Sequence, residues 1–194
     1  MSELNAWVDE SMHMASAVLP NGLYLLAATV ADPAECEPIR DVVRGLLVGS
    51  APRLHWRDQT PRRRRLIATV LADIRVTHTV VVGMPLDQAR QERARRQCME
   101  RLFHELHAIT VARVWLETRT ASLNAHDRKM IDALRGRHVI PNAFTVDFAQ
   151  PNQEPMLWLP DAIAGAVGMH YRQDDDGPYQ VLTTRITEHA ITLR

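Results

Sequence analysis

The stretch LWLPDAIAGAVGM, Leu157–Met169, carries a single charge, and that charge is Asp161. Every other residue in it is apolar, glycine or proline. Pro160 suits the first turn of a helix, where a missing N–H costs nothing. From there Asp161, Gly165 and Gly168 fall at i, i+4 and i+7, on one helical face. Glycine inside a helix costs about 1 kcal/mol relative to alanine. Two on one face therefore predict a helix pressed closely against other backbone. Close approach carries Asp161 inward, where an unpaired carboxylate is expensive. It then needs a cation, an arginine or a proton. Simple stabilisation of the helix N-terminus is the competing reading.

Outward from this helix the chain alternates strands and helices. Residues 3–10 alternate apolar and polar and end in Asp9 and Glu10, a strand signature. Pro20-Asn21-Gly22 signals a turn. LYLLAATV, 23–30, reads as a strand covered on both faces and as the antiparallel neighbour of the first. Asp32-Pro33 and Thr60-Pro61 each open a helix with a capping side chain and a first-turn proline. The first keeps a helical period up to Gly49, and the second runs to about Ile74. Strands are predicted over 77–84, 109–116 and 143–148, and helices over 87–107, 124–134 and 155–171. Residues 179–186 and 190–193 read as a final hairpin. Such an order predicts an α/β domain, a mixed sheet flanked by helices on both faces.

The chain has 194 residues, 46% hydrophobic and 24% charged, a globular balance that excludes a disordered or collagenous chain. Its length predicts one domain over 1–194, with a core over about 3–171 and a C-terminal hairpin or tail over 172–194. No run reaches the roughly 18 apolar residues of a membrane span. Residues 1–5 lack the basic start of a secretory signal, and Cys36 and Cys98 make no disulfide framework. A reduced, cytoplasmic protein is the expectation. With 23 basic and 23 acidic residues the net charge is zero, so any basic surface must be local.

Three acids stand out by position. Asp9 ends the first strand, Glu117 ends the strand before Thr118, and Asp161 begins the long apolar helix. Period-2 geometry places Asn5, Trp7 and Asp9 on one face and Ala6, Val8 and Glu10 on the other. Each acid taken singly also reads as a solvated strand-end or helix-end group. Asp127 reads as an N-terminal helix acid favoured by the dipole. Strand ends in one sheet can meet, and carboxylates brought together raise one another's pKa. A hard divalent cation, Mg2+ or Mn2+, relieves that repulsion. A pair of such ions can cleave phosphodiesters.

Four segments carry a resemblance: Val8-Asp9-Glu10-Ser11, Leu54-His55-Trp56-Arg57, Leu116-Glu117-Thr118-Arg119, and Leu157 to Val167 with its Pro160-Asp161 and small-residue run. Through them the chain resembles the bacterial family called domain of unknown function 3800, a divergent branch of the ribonuclease H-like fold. The segments span residues 6 to about 170. The resemblance implies a ribonuclease H-like α/β fold and a three-carboxylate site. Met12 stands where the family has glycine, Glu117 where aspartate is commoner, and Pro160 where a small residue is usual.

The remaining candidates are basic or imidazole groups. Arg62–Arg65 open a helix, where cations oppose the dipole unless an anion compensates them. Consecutive residues point all round a helix, so the run reads either as a solvated face or as a phosphate contact. His55 can orient a phosphate or shuttle a proton. His104 and His107 lack zinc-hydrolase spacing. No glycine-rich phosphate loop or nucleophile elbow occurs.

The leading expectation is a metal-dependent nuclease. Asp9, Glu117 and Asp161 would hold Mg2+ or Mn2+, with Glu10 and Asp147 as further ligands. His55 would join the acids in catalysis and, with Arg57, meet the scissile phosphate. Arg57, Arg62, Arg65 and Arg119 would contact RNA or DNA. A non-catalytic ribonuclease H-like module that binds nucleic acid or a protein is the alternative, and a small-molecule hydrolase a third. The apolar last helix leaves room for a homodimer.

Overall fold

The computed structural model describes residues 3–194. Six strands form one mixed sheet: β1 (Leu4–His13), β2 (Leu23–Ala31), β3 (Thr77–Met84), β4 (Val111–Glu117), β5 (Thr145–Ala149) and β6 (Ile186–Thr192). Their spatial order is β5-β4-β1-β2-β3-β6. β1, β2 and β3 are successive antiparallel neighbours, whereas β4 lies parallel to β1, β5 to β4 and β6 to β3. The helices are α1 (Cys36–Arg44), α2 (Pro61–Asp73), α3 (Gln91–Ala108), α4 (Ala121–Gly136), α5 (Trp158–Tyr171) and α6 (Gly177–Leu182).

The alternation along β1 sorts the molecule into two cores. Trp7 belongs with α1, α2 and α5 on one face, while Ala6 and Val8 belong with α3 and α4 on the other. β2 is buried along its whole length, as its unbroken apolar run requires. Asp32 and Thr60 cap as expected, accepting from the N–H groups of Ala34 and Arg63. No helix among the described residues is long and apolar enough to cross a membrane.

Two expectations change. No C-terminal hairpin forms: Gly177–Leu182 is helical, and Ile186–Thr192 is a single strand lying parallel to β3. Parallel pairing needs a crossover, and its partner lies a hundred residues upstream, so a local reading does not find it. The glycine face of α5 meets side chains instead of backbone. A Cβ at Gly165 would fall inside the indole ring of Trp56, and one at Gly168 on the imidazole of His13. The two glycines make room for two rings.

Gly165→Ala must displace an indole that is only 5% exposed. It is expected to destabilise the protein by about 1–3 kcal/mol, the usual cost of overpacking. Urea unfolding measures this, and an unchanged midpoint would contradict the packing.

Candidate active site

The C-terminal ends of β1 and β4 face the same layer. Trp7 and Trp115 are register partners on these strands. Their rings stack with centroids 5.0 Å apart and planes 7° from parallel. Two residues beyond each ring, on the same face by period-2 geometry, stand Asp9 and Glu117. The stacked indoles are thus the floor beneath the two acids. α5 runs across this end and brings Asp161 in its first turn. All three acids line one cleft of about 530 Å³.

Asp9 is strongly perturbed. Its carboxyl is held well above the ordinary range, first by burial and then by the negative charges of Asp161 and Glu117, with a hydrogen bond to Glu117 favouring the protonated form. The Glu10 N–H donates to Asp9 Oδ1 at 2.8 Å and opposes this in part.

The other two acids have partners. Asp161 Oδ2 accepts from the Trp56 N–H at 2.8 Å and lies 3.1 Å from His55 Nδ1. The hydrogen bond to Asp161 raises the His55 pKa against the opposing effect of burial. Glu117 faces Arg53 at 3.6 Å. Among the described residues, no three His, Cys, Asp or Glu side chains form a metal-holding group by themselves. Six arginines line the cleft (Arg53, Arg57, Arg64, Arg95, Arg119 and Arg172) against four acids (Asp9, Glu10, Glu117 and Asp161). The wall is basic around an acidic centre.

Several sequence candidates lie elsewhere or serve otherwise. Glu10 lines the cleft but points into the opposite layer, where it contacts Arg95 and accepts from the Tyr24 hydroxyl. Asp127 is no solvated helix-end acid. It is 2% exposed and paired with Arg95 at 3.0 Å and Arg119 at 2.9 Å. Asp147 sits half-exposed on β5 against Arg113 at 3.2 Å, outside the cleft, because β5 lies beyond β4. Arg62 is exposed and outside the cleft lining. Arg65 pairs with Asp175 at 3.2 Å, also outside it. Arg57 and Arg119 do line it, and Arg119 is already engaged by Glu92 at 2.6 Å as well as by Asp127.

Other contributors were read in the sequence only as part of a run, or not at all. Arg64 is the member of the four-arginine run that matters here. It donates to the carbonyls of Trp56 at 3.2 Å and Arg57 at 3.0 Å, and it lies over the Trp56 ring. It thereby fixes the short turn Trp56–Asp58 that delivers the Trp56 N–H to Asp161. Spacing along α2 alone does not single it out. Arg53, Arg172 and His13 complete the wall. His13 continues the Asp9 face of β1 at i+4, a signal the alternation could have given.

Two solved structures are similar in fold. Ribonuclease H2 from Pyrococcus horikoshii OT3 is 13% identical, with 93% of this chain and 76% of that chain covered and a TM-score of 0.49. Ribonuclease HII from Archaeoglobus fulgidus, in its complex with PCNA, is 10% identical, with 93% and 87% covered and a TM-score of 0.55. The second of these shows the fold to be ribonuclease H-like. At such identity the likeness speaks to the fold alone. No protein-family model and no curated protein matches the chain. Membership of the domain of unknown function 3800 family is thus without support, and the ribonuclease H-like fold is what stands of that resemblance.

Two consequences can be measured. A raised carboxyl pKa means that folding loses stability as pH climbs above the ordinary aspartate range, because the unfolded chain ionises first. Asp9→Asn removes that loss, so its melting temperature should exceed that of the natural protein at pH 7 and converge with it near pH 4. Equal melting temperatures at pH 7 would contradict the burial of Asp9. Arg95→Met, by contrast, strands Glu10 and Asp127 without their common cation. It should cost about 3–5 kcal/mol in chemical denaturation, and a loss below about 1 kcal/mol would deny the network its role.

Proposed function

We propose that this protein is a metal-dependent nuclease that cleaves phosphodiester bonds in RNA or DNA at the Asp9, Glu117 and Asp161 cleft. The observation that carries the reading is the desolvated Asp9 carboxyl beside two further carboxylates, inside a wall of arginine. Acidic centres repel phosphate unless a cation intervenes, and basic walls attract it. Holding both in one cleft suits a phosphate ester that arrives with a divalent ion.

The donor set fits Mg2+ or Mn2+: hard carboxylate oxygens, with no thiolate among them. A complete protein cage is not required, because Mg2+ keeps several waters and uses one or two carboxylates plus substrate phosphate. Asp9 and Glu117 would be the principal ligands, with Asp161 beside them through its second oxygen. When bound, the ion would activate a water and stabilise the leaving oxygen. The chain's own groups do the rest. Asp161 holds His55 by Nδ1, leaving Nε2 to exchange a proton with water or leaving group. Arg53, beside Glu117, is placed to take the charge of the scissile phosphate, and Arg64 keeps the His55–Arg57 segment in position.

The engagement of Asp161 by His55 and the Trp56 N–H favours a second reading, a module that binds nucleic acid without cutting it. Incubation of labelled RNA, DNA and RNA–DNA duplexes with Mg2+ or Mn2+ separates the two. Cleavage abolished by a chelator, and lowered at least about 100-fold by Asp9→Asn, the scale for loss of a transition-state stabiliser, is the expected result. Binding without cleavage would favour the second reading, and cleavage by Asp9→Asn at the natural rate would remove Asp9 from the mechanism.

A further inference from the structure

β1 carries the cleft past its acidic centre. Asp9, Ser11 and His13 share one face, and His13 stands four residues beyond Asp9. At about 3.3 Å per residue that is a run of about 13 Å along the strand, farther than one phosphate group reaches. The groups gathered there differ in kind from those at Asp9. His13 is half-buried, with Nε2 3.1 Å from Ser11 Oγ and its ring lodged against Gly168. Arg172 and Arg57 are close enough to act on it electrostatically, as is Asp174. Burial, with the two arginines, pushes the imidazole down to about 4, so it is neutral at physiological pH.

The arginines here have capacity to spare. Arg57 forms no ion pair among the described residues and is exposed. Arg172 has one carboxylate, Asp174 at 2.6 Å, on the solvent side of the same turn, while its Nε is buried and unpartnered. A buried guanidinium N–H without a partner is costly, and Arg57 and Arg172 line the same cleft, where an anion can meet their charge. The neutral imidazole adds hydrogen-bonding capacity without adding charge.

We propose that His13, Arg57 and Arg172 form a second phosphate subsite, about two strand pleats from the acidic centre, which accepts a phosphate of the same nucleic-acid chain away from the scissile one. This rests on the nuclease reading and deepens it. Two anion positions separated along β1 select a chain of linked phosphates over a mononucleotide. Gly168 is what permits it, since any side chain there would evict the His13 ring.

The test is the salt dependence of binding, measured in EDTA so that no cleavage is needed. Fluorescence anisotropy follows a labelled 16-base-pair DNA duplex and an RNA duplex of the same sequence. Each phosphate contact contributes about 0.9 to the slope of log affinity against log salt on B-DNA. Arg57→Ala combined with Arg172→Ala should lower that slope by about one contact on at least one duplex and weaken binding about tenfold or more at 50 mM salt. Arg62→Ala, outside the cleft, should keep the natural slope. An unchanged slope in the double variant would overturn the subsite. So would an equal loss in Arg62→Ala, which would mean diffuse surface charge. Absence of cleavage in metal would sink the nuclease reading while leaving this slope intact, so the two fail separately.

Discussion

One carboxyl group sets the terms for this molecule. Asp9 is held within β1, which runs on to His13, over a pair of stacked indoles, with two more carboxylates for neighbours. Partial burial disfavours its charge, and the like charges raise the cost further. No arginine pairs with it, although six line the surrounding cleft. A fold that keeps such a group unpaired gives up stability at that point, and perturbed groups of this kind gather where chemistry is done.

The elements around Asp9 follow from that placement. β4 delivers Glu117 because it lies parallel to β1 and ends level with Asp9. α5 delivers Asp161 because two of its positions are glycine, which lets the helix close over Trp56 and His13. Arg64 holds the turn that supplies the hydrogen bonds to Asp161. On the far side of the sheet, Arg95 joins Glu10 and Asp127 and so ties the end of β1 to α3 and α4. The two faces of one strand thus serve different ends: Asp9 faces the cleft, and Glu10 anchors the strand that carries it.

Much of this was legible in the residues. Alternation along 3–10 separated Asp9 from Glu10, and the lone charge in an apolar helix marked Asp161. Local patterns could not show which cation meets which acid. Asp127 looked like a dipole-stabilising residue until α3 placed a buried arginine against it. Asp147 shares its strand pattern with the acids that line the cleft, but the strand order puts β4 between it and β1. Within Arg62–Arg65, only the packing of α2 against the Trp56 turn separates Arg64 from its neighbours. Ile186–Thr192 alternates like half a hairpin, yet its partner is β3, far back in the chain. Each of these misses is a tertiary pairing, set by which elements become neighbours and not by the order of residues within one element.

The most direct measurement is the pH titration of the Asp9 carboxyl carbon by NMR, assigned by its disappearance in Asp9→Asn. The account predicts a midpoint well above the ordinary aspartate value of 3.8, moving down when Mg2+ is added. A midpoint at the ordinary value, indifferent to Mg2+, would mean a solvated and unremarkable acid, and the reading of this cleft as a catalytic centre would not stand.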